Sequence, residues 1–241
     1  MSGRIDVLND RLTYSCNCGW IDKVHAGLGS YSKRHPDKEE GMRNLWDQLS
    51  SERNVTQEKL QGLPAFEVHW KQSIQILIGN TFGARSSYRG SYLVQRSLPL
   101  PRKKAIALRV MLDVAYKFEA IQATSPYSFW NDSGFSQEDL VSDMIAFYSV
   151  VDGIGDEHVY SMCRVVSKAA SLKVWDTHMT KGLGASKNTS FVNPVYHSCD
   201  ECAAAPMYPV QFTSIEPASY DRDFVPLTKS SGASGLYIGS K

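Results

Sequence analysis

With 241 residues, the chain is long enough for one domain with a substantial core or for two small ones. Its hydrophobic share of 42% and charged share of 21% are typical of a globular protein, and its net charge of +1 gives no reason to expect nucleic acid or a membrane as partner. Neither a membrane-spanning apolar run nor a signal-peptide core is recognisable in the sequence. We therefore expect a protein that is cytoplasmic at synthesis, and any export to use a secretion system that needs no signal peptide.

The first half of the chain predicts short helices and a β ribbon. A helix is expected to start at Cys18, and the polar, proline-containing stretch 29–40 is typical of an exposed loop. Residues 41–52 predict a short helix with its apolar side chains on one side. The runs 66–78 and 91–98 are rich in β-branched and aromatic residues, and the turn-rich stretch between them predicts an antiparallel ribbon.

The second half predicts helices followed by irregular structure. A long helix opens at Pro101, which suits a first helical turn, and runs to about Ala123. The next helix opens with the capping-box-like segment 136–139, and a third covers 157–173. Beyond Lys181 the chain is rich in Gly, Ser, Pro and Asn, which indicates irregular structure.

These elements predict an α+β fold that is mainly helical, with a small antiparallel β ribbon and an irregular C-terminal region. The sequence contains no internal repeat and no low-complexity linker. We therefore expect a single globular domain over residues 1–228 and a flexible C-terminal tail over residues 229–241.

Five cysteines are too few for a disulfide scaffold in a chain of this length, and they favour reduced, structural thiols in a cytosolic protein. Two close pairs leave alternatives open, because a CxC and a CxxC motif could together hold zinc or form a disulfide. The motifs are Cys16-Asn-Cys18 and Cys199-Asp-Glu-Cys202. Residues two apart point in different directions, so we expect no bond between Cys16 and Cys18.

The segment CGWIDKVHA, residues 18–26, carries the first candidate for catalysis. On a helix, Cys18, Asp22 and His25 would share one face, with Cys18 at the helix N-terminus where the dipole stabilises a thiolate. A thiolate, an imidazole and a carboxylate are the groups of a cysteine hydrolase. On a continuous helix, however, Cys18 and His25 would lie roughly 10 Å apart, too far for direct contact. The alternative is structural, with a surface pair of Asp22 and His25 and a buried Cys18 thiol.

A second candidate is the FEAIQ segment of the long helix, which places Glu119 and Gln122 on its apolar arc. A carboxylate among aliphatic side chains holds its proton more tightly, as a general acid requires. The alternative is a buried glutamate paired with a basic or hydroxyl group. We expect Glu119 to be largely buried and to face the same cavity as the helix that carries Cys18 and His25.

A third candidate lies in the segment 132–143, whose start is explained by helix capping. Ser142 and Asp143 could still line a cleft with Glu119. The histidines show no metal-binding spacing, and the chain lacks the glycine motifs of nucleotide-binding proteins and of serine esterases. We therefore expect neither a metal nor a cofactor.

The three segments CGWIDKVHA, FEAIQ and SGFSQEDLVSDMIAFY together resemble an uncharacterised bacterial family, one defined as a domain of unknown function. The resemblance also takes in residues 174–176, 191–194 and 212–217, and so spans most of the chain. It implies one domain built around these segments and supplies no reaction. Some such proteins look like secreted or envelope-acting bacterial proteins, and small effectors that attack peptidoglycan are similar in size.

The sequence thus predicts a hydrolase of a cell-envelope polymer, most plausibly peptidoglycan, that acts as a secreted antibacterial toxin. The cell-wall polymer would be its substrate, and an immunity-type inhibitor protein a further partner. In a peptide-cleaving version Cys18 is the nucleophile, His25 the base and Asp22 the orienting group. In a glycan-cleaving version Glu119 protonates the leaving oxygen, and Asp22 or Asp143 stabilises the transition state. The predicted substrate contacts are Gln122, Trp20, Ser142 and Asp143.

The alternative from another class is a non-enzymatic binding protein. In that case the three segments are core and capping features, and exposed aromatic side chains form a partner surface. The candidates for that surface are Tyr88, Tyr92, Tyr127, Phe129 and Trp130.

Overall fold

The computed structural model describes residues 3–29, 41–78, 82–124, 135–228 and 231–238. The chain is of the α+β class, as predicted. It divides into two compact units: a first unit of residues 1–35 and 131–214, and a second unit of residues 36–130 and 215–241. The single domain over residues 1–228 stays a prediction, since two compact units can unfold together or separately.

The helices and strands of the described residues are numbered in chain order. They are α1 (Arg4–Leu8), β1 (Leu12–Ser15), β2 (Gly19–Asp22), α2 (Lys23–Ala26), α3 (Met42–Ser51), β3 (Val55–Leu60), β4 (Leu63–Ile78), β5 (Phe82–Gln95), α4 (Leu100–Thr124), α5 (Asp139–Val151), α6 (Asp156–Cys163), α7 (Lys168–His178), β6 (Phe224–Pro226) and β7 (Ser231–Ile238).

The helix that the sequence predicts from Cys18 is wrong. Gly19 has φ +66° and begins β2, which pairs antiparallel with β1. Helix α2 starts only at Lys23, because the Asp22 carboxylate caps it by accepting a hydrogen bond from the Val24 amide at 2.8 Å. It ends after one turn at Gly27, whose left-handed backbone terminates helices.

Among the remaining helices of the first unit, α1 has no counterpart in the sequence prediction, and α5 begins at Asp139 without a side-chain cap rather than with a capping segment over 136–139. The predicted helix over residues 157–173 is two helices, α6 and α7, because Arg164 has φ +54° and ends the first of them. The Ser167 side chain caps α7 by accepting from the Ala170 amide at 3.1 Å. From Met179 to residue 214 the unit is irregular apart from two 3₁₀ turns, as expected beyond Lys181.

A buried core holds the short elements of the first unit together. Tyr14 and Trp20 on the β hairpin meet edge to face, with ring centroids 5.3 Å apart, and Trp20 meets Trp175 of α7 in the same way at 5.6 Å. The core cluster consists of Val7, Leu12, Tyr14, Cys16, Trp20, Val166, Val174, Trp175, Met179 and Leu183.

Two disulfides fasten the tip of the β hairpin to distant segments. Cys16 bonds to Cys202 and Cys18 bonds to Cys163, with Cα–Cα distances of 5.3 and 5.2 Å. The expectation that Cys16 and Cys18 do not bond to each other is confirmed. The expectation of reduced thiols is wrong for these four residues, and zinc across the two motifs is incompatible with the bridges. Cys199 remains a free thiol.

The second unit is an antiparallel sheet with helices α3 and α4. The strand order is β3-β4-β5-β6, and β7 pairs with another stretch of β5. Both predicted helices and the antiparallel pairing of the ribbon are confirmed, with β4 and β5 paired from Ala65–Gln95 to Ile78–Phe82. The predicted bounds of the second strand, 91–98, are wrong, because β5 begins at Phe82 and takes in most of the stretch that was predicted as a turn. Residues 231–238, within the segment predicted as a flexible tail, form β7 instead.

Candidate functional site

Charged side chains of the first unit converge where α2 packs against the start of α5. They come from the residue before β1, from the end of β2, from α2, from the first two turns of α5 and from the residue before α5. We call them the His25 cluster: Arg11, Asp22, His25, Glu138, Asp139 and Asp143.

Asp22 is the buried anchor of the His25 cluster, with 1% of its side chain exposed. Its carboxylate accepts hydrogen bonds from Arg11, at 2.6 Å from Nη2 and 3.1 Å from Nε, in addition to the capping bond from Val24. Burial opposes the charged form, but His25, Arg11 and the Val24 amide outweigh it and lower the pKa of Asp22. Asp22 is therefore a carboxylate at neutral pH.

Helix α5 fixes the position of Asp22 from the other side. The Asp22 amide donates a hydrogen bond to the Ser142 hydroxyl oxygen at 3.0 Å, and both residues are buried. Asp139 and Asp143 lie one turn apart on α5, on either side of Ser142 along the chain, so a single helix supplies the hydroxyl and both carboxylates. The structure thus brings together Asp22, His25, Ser142 and Asp143 of the predicted site.

His25 is the accessible member of the His25 cluster, with 43% of its side chain exposed. Its Nδ1 lies 3.5 Å from Oδ1 of Asp139. Desolvation acts against the imidazolium, but the carboxylates of Asp22, Asp143 and Glu138 outweigh it and raise the pKa of His25. A raised pKa favours the protonated imidazole, and an accessible imidazolium suits the donation of a proton to a leaving group.

Cys18 does not fit the predicted role of nucleophile. It is fully buried and bonded to Cys163, so it carries no thiol that could be ionised. The peptide-cleaving version with Cys18 as nucleophile is therefore incompatible with this structure.

Two of the predicted substrate contacts lie in the interior. Trp20 is fully buried between Tyr14 and Trp175, and Ser142 is fully buried against the Asp22 amide. Neither side chain presents surface to a substrate, so both act on the site by holding the hairpin and α5 in place. Asp143 is half-buried beside His25 and fits the predicted site.

Glu119 lies in the second unit, on α4, and its side chain is 5% exposed. The expected burial is confirmed. A cavity shared by Glu119 and His25 stays a prediction, and the side chain of Gln122 lies outside the described residues. Among the aromatic residues of the binding alternative, Tyr92 is buried in the second unit, while Tyr127, Phe129 and Trp130 lie outside the described residues.

A second pair of histidines lies elsewhere in the first unit. The rings of His178 and His197 stack at 5.1 Å, and His197 Nε2 lies 2.8 Å from Oε1 of the buried Gln137. Burial, with a contribution from His178, lowers the pKa of His197, so that ring is neutral at physiological pH. Within the described ranges, no group of three or more histidine, cysteine or acidic side chains could hold a metal ion.

Sequence reasoning missed three members of the His25 cluster: Arg11, Glu138 and Asp139. Arg11 is eleven residues from Asp22, and only the pairing of β1 with β2 brings the two together. The sequence could have identified Asp139, because its spacings of three and four residues place it on the same helix face as Ser142 and Asp143. Asp22 as a cap and Gly27 as a terminator were also readable as the limits of a one-turn helix.

Comparison with known proteins gives no match with a family model, a curated protein or a solved structure. The resemblance to a bacterial family therefore stays a prediction. Of the helices that the structure describes, none has the length and apolar character to cross a membrane.

Proposed function

We propose that the protein is a hydrolase of a bacterial cell-envelope polymer, with peptidoglycan as the most plausible substrate, and that His25 is its acid–base residue. The observation that carries the proposal is an accessible imidazole whose pKa is raised by surrounding carboxylates. Such a group can donate a proton to a leaving nitrogen or oxygen and take one from water.

The arrangement assigns distinct roles to the neighbours of His25. Asp139, at 3.5 Å from Nδ1, orients the ring and leaves Nε2 as the nitrogen for proton transfer. Asp22 and Asp143 stabilise the imidazolium, and Arg11 keeps Asp22 ionised. Water replaces Cys18 as the proposed nucleophile.

The disulfides support an envelope substrate. Bridges persist in oxidising compartments such as the bacterial periplasm, and cytosolic thiols are kept reduced. Four of the five cysteines are bridged, so we infer that the protein acts outside the cytoplasm, where envelope polymers lie.

Digestion of purified peptidoglycan, followed by mass analysis of the released fragments, tests the proposal. The wild type should release muropeptides, and His25→Gln should lower the initial rate more than tenfold. His158→Gln is the matched control, because His158 is exposed on α6 and does not belong to the His25 cluster. Release that is unaffected by His25→Gln would eliminate His25 as the acid–base residue.

The pH profile separates a catalytic from a structural role of His25. Asp143→Asn removes one carboxylate that raises the pKa of His25, so the limb of the rate profile that reports His25 should move to lower pH. A structural role predicts a change in rate without that displacement. No fragment release by the folded wild type would contradict the hydrolase and favour the binding-protein alternative.

A further inference from the structure

Three cysteines of the first unit gather around one hydrophobic cluster. Cys16 is a member of the core cluster, and Cys199 and Cys202 pack against it, both half-buried. Cys16 and Cys202 are bonded, whereas Cys199 is a free thiol. A thiol and a disulfide therefore lie at the same corner of the core.

The backbone places Cys199 within bonding reach of Cys202. The Cys202 amide donates to the Cys199 carbonyl at 3.0 Å, which closes a turn over residues 199–202. The ends of such a turn have Cα atoms less than about 7 Å apart, and disulfides span Cα distances of about 4.4–6.8 Å. Cys202 can thus bond either to Cys16 or to Cys199.

The turn is also held by contacts that need no disulfide. The Glu201 carboxylate accepts hydrogen bonds from the Ser167 amide at 2.8 Å and from the Ser167 hydroxyl at 2.6 Å. Asp200 forms an ion pair with Lys173 of α7. Loss of the Cys16 bond therefore leaves the turn anchored to α7, with Cys199 and Cys202 still side by side.

We propose that Cys199 exchanges with the Cys16–Cys202 bridge, so that the chain has two interconverting disulfide patterns. The Cys199 thiolate attacks Sγ of Cys202; the Cys199–Cys202 bond forms, the Cys16–Cys202 bond breaks, and Cys16 leaves as a thiolate that takes up the proton. One thiol and one disulfide exist before and after, so the exchange needs no external oxidant or reductant. It removes the covalent link between the tip of the β1–β2 hairpin and the irregular segment, while the hydrogen bonds of Asn17 with Tyr196 and Met207 can persist.

Thiol mapping of the folded, full-length protein tests the exchange. Samples held without reductant at pH 6, 7 and 8 are acid-quenched, alkylated, reduced, alkylated with a second reagent and digested for mass spectrometry. At the start the first label should lie on Cys199. A labelled fraction should then appear on Cys16, at an initial rate that rises with pH, because the thiolate is the attacking species.

Two variants keep the outcome decisive. Cys199→Ser retains both bridges and should show no label on Cys16 at any pH. Cys16→Ser leaves Cys202 without its partner, and oxidised glutathione should convert it to the Cys199–Cys202 disulfide. First label confined to Cys199 at every pH in the wild type overturns the proposal, as does formation of glutathione adducts alone in Cys16→Ser.

Discussion

Different kinds of internal contact stabilise the two units. In the second unit, β4 and β5 are joined by a short connection and pair along almost their whole length, and the 25-residue helix α4 packs on them. In the first unit the strands have four residues each, and the hairpin is fixed by contacts across the sequence, such as the bridge between Cys16 and Cys202, 186 residues apart. All five cysteines belong to the first unit.

The contacts that stabilise one unit are therefore of a different kind from those that stabilise the other. A long ladder of backbone hydrogen bonds stabilises the second unit through contacts that are mostly near in sequence. The first unit depends on cross-links and buried polar contacts that each join distant segments. Tyr14 shows this, because its hydroxyl donates to the His197 carbonyl at 2.9 Å and accepts from the His197 amide at 2.6 Å. We therefore expect the two units to respond differently to the same perturbation.

Reduction of the disulfides should destabilise the first unit more than any of the substitutions that follow. A bridge that closes a loop of this size stabilises the fold by about 2–5 kcal/mol, because it restricts the unfolded chain. Hydrogen exchange with and without reductant should show that amides of α7 and the hairpin lose protection by at least roughly thirtyfold, while those of β4 and β5 lose little. Cys199→Ser without reductant is the control, since it retains both bridges. Equal losses of amide protection in both units would show that the first unit does not depend on its disulfides more than the second.

Asp22→Asn should be the most damaging single substitution in the His25 cluster. It removes the charge that pairs with Arg11, so we expect a loss of about 2–3 kcal/mol in urea unfolding, reduced by the 33% exposure of Arg11. The folded-state pKa of Asp22 is lowered, so its contribution is present above the usual carboxyl pKa of about 3.9 and is lost as the pH falls through the lowered value. A difference between wild type and variant that stays constant down to pH 2 would refute this linkage.

Gly19→Ala tests how tightly the start of β2 packs against the irregular segment of the first unit. An added Cβ would lie 2.6 Å from the Val195 carbonyl oxygen, and Gly19 has φ +66°. We expect a loss of about 2–3 kcal/mol from the left-handed backbone and the close contact together. Gly27→Ala is the matched control, since φ is +65° and the added Cβ meets nothing within 4 Å, so about 1 kcal/mol is expected. Equal losses of thermal stability in the two variants would show that the backbone at Val195 moves away from the added Cβ at little cost.

The smallest expected effect is the contribution of His25 to the pH dependence of folding stability. Its folded-state pKa is raised, so the stabilisation is fully present below the usual pKa near 6.5 and is lost as the pH rises through the raised value. Because 43% of the side chain is exposed, we expect less than about 1 kcal/mol. In thermal unfolding between pH 5 and pH 9, the stability difference between the wild type and His25→Gln should shrink as the pH rises. A difference that grows with pH would show that folding lowers the pKa of His25.

The sequence predicted the second unit better than the first for a physical reason. Helix α4 and strand β4 are long and periodic, so their patterns identify them without knowledge of the rest of the fold, whereas only the end of β5, from residue 91, was identified. The segment from Cys18 to His25 is also compatible with a helix by its spacing. There the tight turn into Gly19 and the bonds of Cys16 and Cys18 decide the conformation, and those partners lie far along the chain.

The candidate site was predictable only in part for the same reason. Asp22, His25 and Asp143 were identified as polar residues in unusual settings, and the structure brings them together. Arg11 could not be identified from the sequence. It reaches Asp22 only because the register of the hairpin pairs the neighbouring residue, Leu12, with Asp22. The roles proposed for Cys18 and Trp20 failed because their surroundings bury them completely.

The separations of the bridged cysteines also constrain how the protein is made. Cys16 and Cys18 emerge early during synthesis, yet Cys163 follows Cys18 by 145 residues and Cys202 follows Cys16 by 186. The bridges therefore form only after most of the chain has been made and has reached an oxidising compartment. Five thiols then meet oxidant together and can pair wrongly, so recombinant yield should depend on a disulfide isomerase more than on the supply of oxidant.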